Sequence, residues 1–178
     1  GTIAAFSTRL GGVSFASAGM ICRTGKREGF RCISSTAVSY DRHPVTLPDS
    51  CECKVKLCFS PRSGIVLGGQ VYGCAAVGEL INVIALAIQK RVTVRELDMI
   101  QIATHPLLTA APTVHPLVNA SHQALAQMRA AVKEYQAYFD EWGLSSQKVR
   151  SKLPGELDLA YGSGSLETLD IFFTVVIA

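Results

Sequence analysis

The chain has 178 residues, a formal net charge of +3, 48% apolar residues and 17% charged ones. That length fits one domain with an appendage, and that apolar share suits a packed core rather than a disordered chain. The basic residues are scattered, and their densest run, Arg23 to Arg31, is broken by Glu28 and Gly29. No nucleic-acid partner is therefore expected, because a binding face would gather its cations in one patch with interleaved aromatics.

In chain order, residues 1 to 20 are small, apolar and glycine-punctuated, and VSFASAGM reads as a strand ended by Gly19. GTIAAFSTRL lacks the basic start and long apolar core of a secretory leader, so a cytoplasmic protein is expected. Residues 21 to 29 predict a short polar helix or turn, and RCISSTAVSY, rich in β-branched residues, a strand. DRHPVTLPDS is a loop on its prolines and aspartates. CECKVKLCF alternates cleanly, placing Cys51, Cys53, Val55, Leu57 and Phe59 on one face and Glu52, Lys54 and Lys56 on the other. SPRSG supplies a turn, and GIVLGGQVYG returns as the second arm of a hairpin.

AAVGELINVIALAIQKR, residues 75 to 91, predicts a helix whose apolar side chains nearly encircle it. A helix lying on one sheet needs a single apolar stripe. This one is expected to be covered on two sides, with another domain or a second copy of the chain as the further cover. Its run is too short and too interrupted, by Gly78, Glu79 and Asn82, to span a bilayer. Thr93 and Glu96 form a capping box for a short helix. Pro116 suits the first position of a long amphipathic helix over residues 116 to 143, with Val118, Leu125, Met128, Val132, Tyr135, Phe139 and Trp142 in heptad-like steps. Residues 144 to 178 read as a loose tail with a terminal strand, IFFTVVIA.

The six cysteines (22, 32, 51, 53, 58 and 74) include no Cys-x-x-Cys pair. Reduced thiols are expected, and the spacing argues against a metal site. No G-x-G-x-x-G, Walker loop, G-x-S-x-G elbow or H-E-x-x-H is present. No complete active site is expected in this chain.

The order of these elements carries a resemblance. FSTRLGGVSFASAGM (Phe6 to Met20), KVKLCFSPRSGIVLGGQVYGCAAVGELINVIALAI (Lys54 to Ile88) and VTVRELDMIQIATHPLLTAAP (Val92 to Pro112) resemble the C-terminal dimerisation domain of the pyridine nucleotide-disulfide oxidoreductases. The resemblance covers roughly residues 1 to 120 and implies an α+β fold over residues 1 to 115: a mixed, mostly antiparallel sheet with helices packed on it, followed here by a C-terminal helical extension. It implies a homodimer with Val77, Leu80, Ile81, Ile84, Leu86, Ile88 and Pro106 at the interface. It also implies a full-length parent in which FAD and NAD(P)H sit in two domains missing from this chain, which itself binds no cofactor. The function expected is therefore that of an interface domain, not catalytic alone, with a freestanding homodimeric interaction module as the alternative.

In the glutathione-reductase-like branch, a His-Pro pair reaches the partner's flavin, and a Glu five residues on orients the His. His105-Pro106 falls at the matching place, but the fifth residue on is Ala110, and no carboxylate follows before Glu134. The segment APTVHPL looks closer to the coenzyme A disulfide reductase and NADH oxidase branch, which does not rely on this His. Proline holds its preceding residue extended, so a rigid turn is the competing reading for each His-Pro pair, with His105 the single catalytic candidate.

Overall fold

The structure is a computed structural model that describes residues 2–141. The expected tail, its terminal strand, Trp142 and Gly143 lie outside the described residues. Contacts divide the chain into two compact units, residues 1–126 and 127–178. Everything below concerns the first, together with the helix that runs on to Glu141.

Ten elements follow in order: β1 (Phe6–Leu10), β2 (Val13–Gly19), α1 (Cys22–Arg27), β3 (Ile33–Tyr40), β4 (Glu52–Phe59), β5 (Val66–Gly73), α2 (Val77–Gln89), α3 (Val94–Asp98), a 3-10 turn (Pro112–Val114) and α4 (Pro116–Glu141). The strands form one sheet in the order β1-β2-β5-β4-β3, and each ladder is antiparallel. The fold is thus α+β, a five-stranded sheet with helices packed on it.

The alternation of β4 sets the layers. Cys53, Val55, Leu57 and Phe59 are fully buried, while Glu52 and Lys54 stay exposed. Register places Val55 beside Ala37 and Val71, and Leu57 beside Ser35 and Gly69, so one face of the sheet is continuous core. α2 lies on this face. Ile84 sits over Gly69, where a β-carbon would come within 2.9 Å of the Ile84 Cγ2 and 3.0 Å of its Cδ1. Fully burying a side chain of this size stabilises the fold by roughly 1.5–3 kcal/mol.

Two chain reversals explain elements on either side. Gly11 and Gly12 both have positive φ, 55° and 84°, and join β1 to β2 with Leu10 paired to Val13. Two such residues make the tight turn whose twist matches a β-hairpin. All five residues of β1 are exposed, so its strand state comes from pairing rather than burial. At the end of α2, Val92 N–H donates to the Ala87 carbonyl at 2.8 Å and Arg91 N–H to that of Ile88 at 3.1 Å, with Arg91 at φ 56°. These two bonds satisfy terminal helix carbonyls and release the chain into α3. The capping box of α3 is present: Glu96 N–H donates to Thr93 Oγ1 and Thr93 N–H to Glu96 Oε2.

The first turns of α4 bury Leu117, Ala120, Ser121 and Ala124, whereas Val118 and Leu125 are half-buried. The buried stripe thus runs through small residues beside Leu117, and Met128 of the expected seam is buried as well. His122 Nδ1 lies 3.4 Å from Asp98 Oδ1, joining α4 to α3.

Candidate functional site

The candidate site lies in the segment from α2 to the start of α4. His105 opens a compact turn. Its carbonyl accepts from the N–H groups of Leu108 and Thr109, each at 3.0 Å. Its own N–H donates to Thr109 Oγ1 at 3.1 Å, and that hydroxyl donates on to the Ala103 carbonyl at 3.0 Å. Proline at 106 presets the turn and lacks the donor that a longer helix would need. The imidazole takes part as well: Leu107 N–H donates to His105 Nδ1 at 3.2 Å. An accepting Nδ1 puts the proton of a neutral imidazole on Nε2. A backbone amide thus occupies the position an orienting carboxylate would take. His105, Pro106, Leu107 and Leu108 are all exposed.

α2 sorts the residues expected at an interface into two groups. Val77, Leu80, Ile81 and Ile84 are buried within their own chain, at 4% exposure or less. Gly69 in β5 carries no side chain, so α2 sinks far enough to give the sheet a wide stripe. Leu86 remains 54% exposed, Ile88 is half-buried, and Pro106 is exposed. Glu79 is exposed too and lines a cleft rather than sitting in the core.

That cleft is bounded by Asp41, Cys53, Glu79, Leu80, Thr109 and His115, among others, and its cavity of about 20 Å³ has room for one water. His115 is buried with its Nδ1 unpartnered, and burial lowers its pKa from the ordinary 6.5. Val114, the residue before it, is held by the Ser39 hydroxyl, which donates to its carbonyl. Cys53, in the cleft lining, shares a thiol–thiol hydrogen bond with Cys74. Cys74 is drawn down to about 7, first by the Cys53 thiol donating to it and then by the Ala76 N–H at the start of α2. Cys53 is pushed up, chiefly by the same bond and then by burial.

A dinucleotide is held by a strand, a glycine-rich turn and a helix N-terminus within a parallel sheet. Among the described residues every ladder is antiparallel, and the cleft takes a single water. These residues do not fit FAD or NAD(P)H as resident ligands, and no chemical step is derived through either.

Comparison with known proteins agrees with this geometry. Residues 10–115 match the family described as pyridine nucleotide-disulphide oxidoreductase, dimerisation domain. The chain belongs to that family. Among solved structures it is similar to the NAD-dependent persulfide reductase from A. fulgidus, at 25% identity and a TM-score of 0.68, covering 73% of this chain and 24% of that one. It is similar in fold to the water-forming NADH oxidase from Lactobacillus brevis, at 20% identity and a TM-score of 0.68, covering 74% and 28%. It is likewise similar to the reduced CoADR-RHD protein of Bacillus anthracis, at 21% identity and a TM-score of 0.67, covering 72% and 23%. The chain thus spans about a quarter of the length of these relatives. No curated protein sequence matches it. No helix among the described residues is long and apolar enough to cross a membrane.

Proposed function

We propose that this chain serves as the interface domain of a cytoplasmic FAD- and NAD(P)-dependent oxidoreductase, pairing with a second copy of itself and presenting no complete active site alone. One observation carries the reading beyond family membership. Leu86, Met99, Leu107 and Leu108 are 54%, 63%, 48% and 74% exposed, all within the stretch that follows the buried part of α2. Large exposed apolar side chains gathered in one segment mark surface that another protein covers. In this reading Leu86, Ile88 and Pro106 belong to the dimer face, and the flavin and nicotinamide sites belong to domains outside this chain. His105 would act only against a partner's flavin domain, and its amide-held ring supports the turn role over general base catalysis.

The second reading is a freestanding homodimeric module. It draws on α4, whose buried residues Leu117, Ala120, Ser121 and Ala124 fall beyond the family match. Both readings are tested by the mass in solution and the visible spectrum of the purified chain. A colourless dimer that Leu108→Glu converts to monomer is expected. A monomer at high concentration, or a chain that retains flavin, overturns both readings. An upstream reading frame continuous with this one and bearing G-x-G-x-x-G separates the first from the second.

A further inference from the structure

Three cysteines that lie far apart in the sequence come together on the sheet face opposite α2. Cys22 begins α1, Cys32 precedes β3, and Cys58 lies on β4 between the α2-facing Leu57 and Phe59. Their sulfurs all lie within 4.8 Å of one another, and the three residues are 5%, 3% and 3% exposed. Met20 and Leu67 pack against them. From these residues we infer a binding site for a soft monovalent metal ion, Cu(I), held by the thiolates of Cys22, Cys32 and Cys58 with the Met20 thioether alongside.

The backbone is shaped for this approach. A β-carbon at Gly68 would stand 2.1 Å from the Met20 carbonyl oxygen, so Met20 lies directly over the sheet. One at Gly25 would stand 2.5 Å from the Met20 sulfur and 3.4 Å from Cys32 Sγ, so α1 closes on the cluster only with glycine there. The Cys22 and Cys32 sulfurs are 3.1 Å apart. That is a thiol–thiol hydrogen-bond contact, far longer than the roughly 2.0 Å of a disulfide. A metal at about 2.3 Å from each sulfur needs sulfurs about 4 Å apart, inside the observed spread.

The donor set chooses the ion. Thiolate and thioether ligands select soft ions. Among the described residues, no His or carboxylate joins the three cysteines as a fourth ligand. Structural zinc sites close with four, whereas a cuprous ion is satisfied by three thiolates. Charge agrees: the segment around the cluster carries Arg23, Lys26, Arg27 and Arg31 against the single acid Glu28, which pairs with Arg27 at 3.2 Å. Binding is an exchange without electron transfer. Cu(I) displaces three thiol protons to solvent, leaving a site charge of −2 that Lys26 offsets by one unit. The sequence spacing hid this site because its ligands converge only through strand register.

The test uses the reduced full chain, kept anaerobic, with Cu(I) supplied as its acetonitrile complex against a chromophoric cuprous chelator. One ion per chain, a three-sulfur shell in X-ray absorption and a raised Tm are expected. Cys32→Ser and Cys58→Ser should each weaken binding at least about 100-fold, beyond what loss of an outer-shell partner costs, while Cys51→Ser leaves it unchanged. Circular dichroism checks folding of each variant, and Cys22→Ala, on the surface helix, serves if a strand variant unfolds. The proposal is overturned by failure to compete with the chelator, by full binding in Cys32→Ser and Cys58→Ser, or by zinc displacing copper at equal concentration. It is also overturned by a Cys22–Cys32 disulfide in the isolated chain with no copper affinity after reduction.

Discussion

The contact between α2 and β5 makes a sharp prediction about two adjacent glycines. In Gly69→Ala the new methyl meets the Ile84 Cγ2 and Cδ1 at 2.9 and 3.0 Å. Overpacking of this kind costs about 1–3 kcal/mol, partly offset by the roughly 0.5–1 kcal/mol that alanine gains over glycine in a strand. Ile84→Ala removes both colliding carbons from a fully buried site and alone costs about 2–5 kcal/mol. In the double variant the added methyl enters the space just vacated. The two changes should therefore not add, and the double variant should be no less stable than Ile84→Ala alone. The coupling falls in the ~0.5–3 kcal/mol range of residues in contact. Gly68→Ala is the contrast, because its methyl meets the Met20 backbone, with the carbonyl oxygen at 2.1 Å and nitrogen at 2.5 Å, and no side-chain deletion relieves it. Urea unfolding at one fixed protein concentration reads all four variants. Simple additivity of Gly69→Ala and Ile84→Ala refutes the packing argument.

Three further outcomes follow from the same coordinates. Arg91 holds a left-handed conformation at the end of α2 with its side chain exposed, so Arg91→Gly should raise stability by about 1 kcal/mol, measured by chemical denaturation. Burial sets the His115 pKa below its unfolded value, so its contribution to stability is full above the ordinary 6.5 and is lost as pH falls through the folded value. A Tm profile should drop on acidification in the native chain and flatten in His115→Gln; an unchanged slope contradicts this. Hydrogen bonds from the Thr93 N–H and hydroxyl hold the Glu96 carboxyl below its usual range, so Thr93→Ala should return its NMR titration toward 4.5 and lower Tm.

The hairpin of β4 and β5, α2, and the capped α3 are legible in the sequence because each writes its own local signal: strict alternation, a dense apolar run, Thr93 with Glu96. β1 is not, since FSTRL is short, exposed and without alternation; its signal lay next to it in Gly11-Gly12, the pair that turns a hairpin. The apolar girth of α2 is legible too, and the sheet takes most of it while Leu86 stays at the surface of the single chain. The His105 turn was visible from Pro106, but the amide that holds its ring was not, since a backbone donor leaves no trace in residue identity. The unpartnered Nδ1 of His115 and the thiols at 22, 32 and 58 depend on which strands become neighbours, and no local period encodes that.

The pairing of β2 with β5 sets the order in which this sheet is built. Ser17 finds its partner Gln70 only across β3 and β4, a closure of about fifty residues whose entropy must be met before that ladder forms. The arms β3, β4 and β5, by contrast, zip from neighbour to neighbour. The amino-terminal hairpin is therefore the late arrival, and the slow step in refolding should be its docking onto an already assembled three-stranded half.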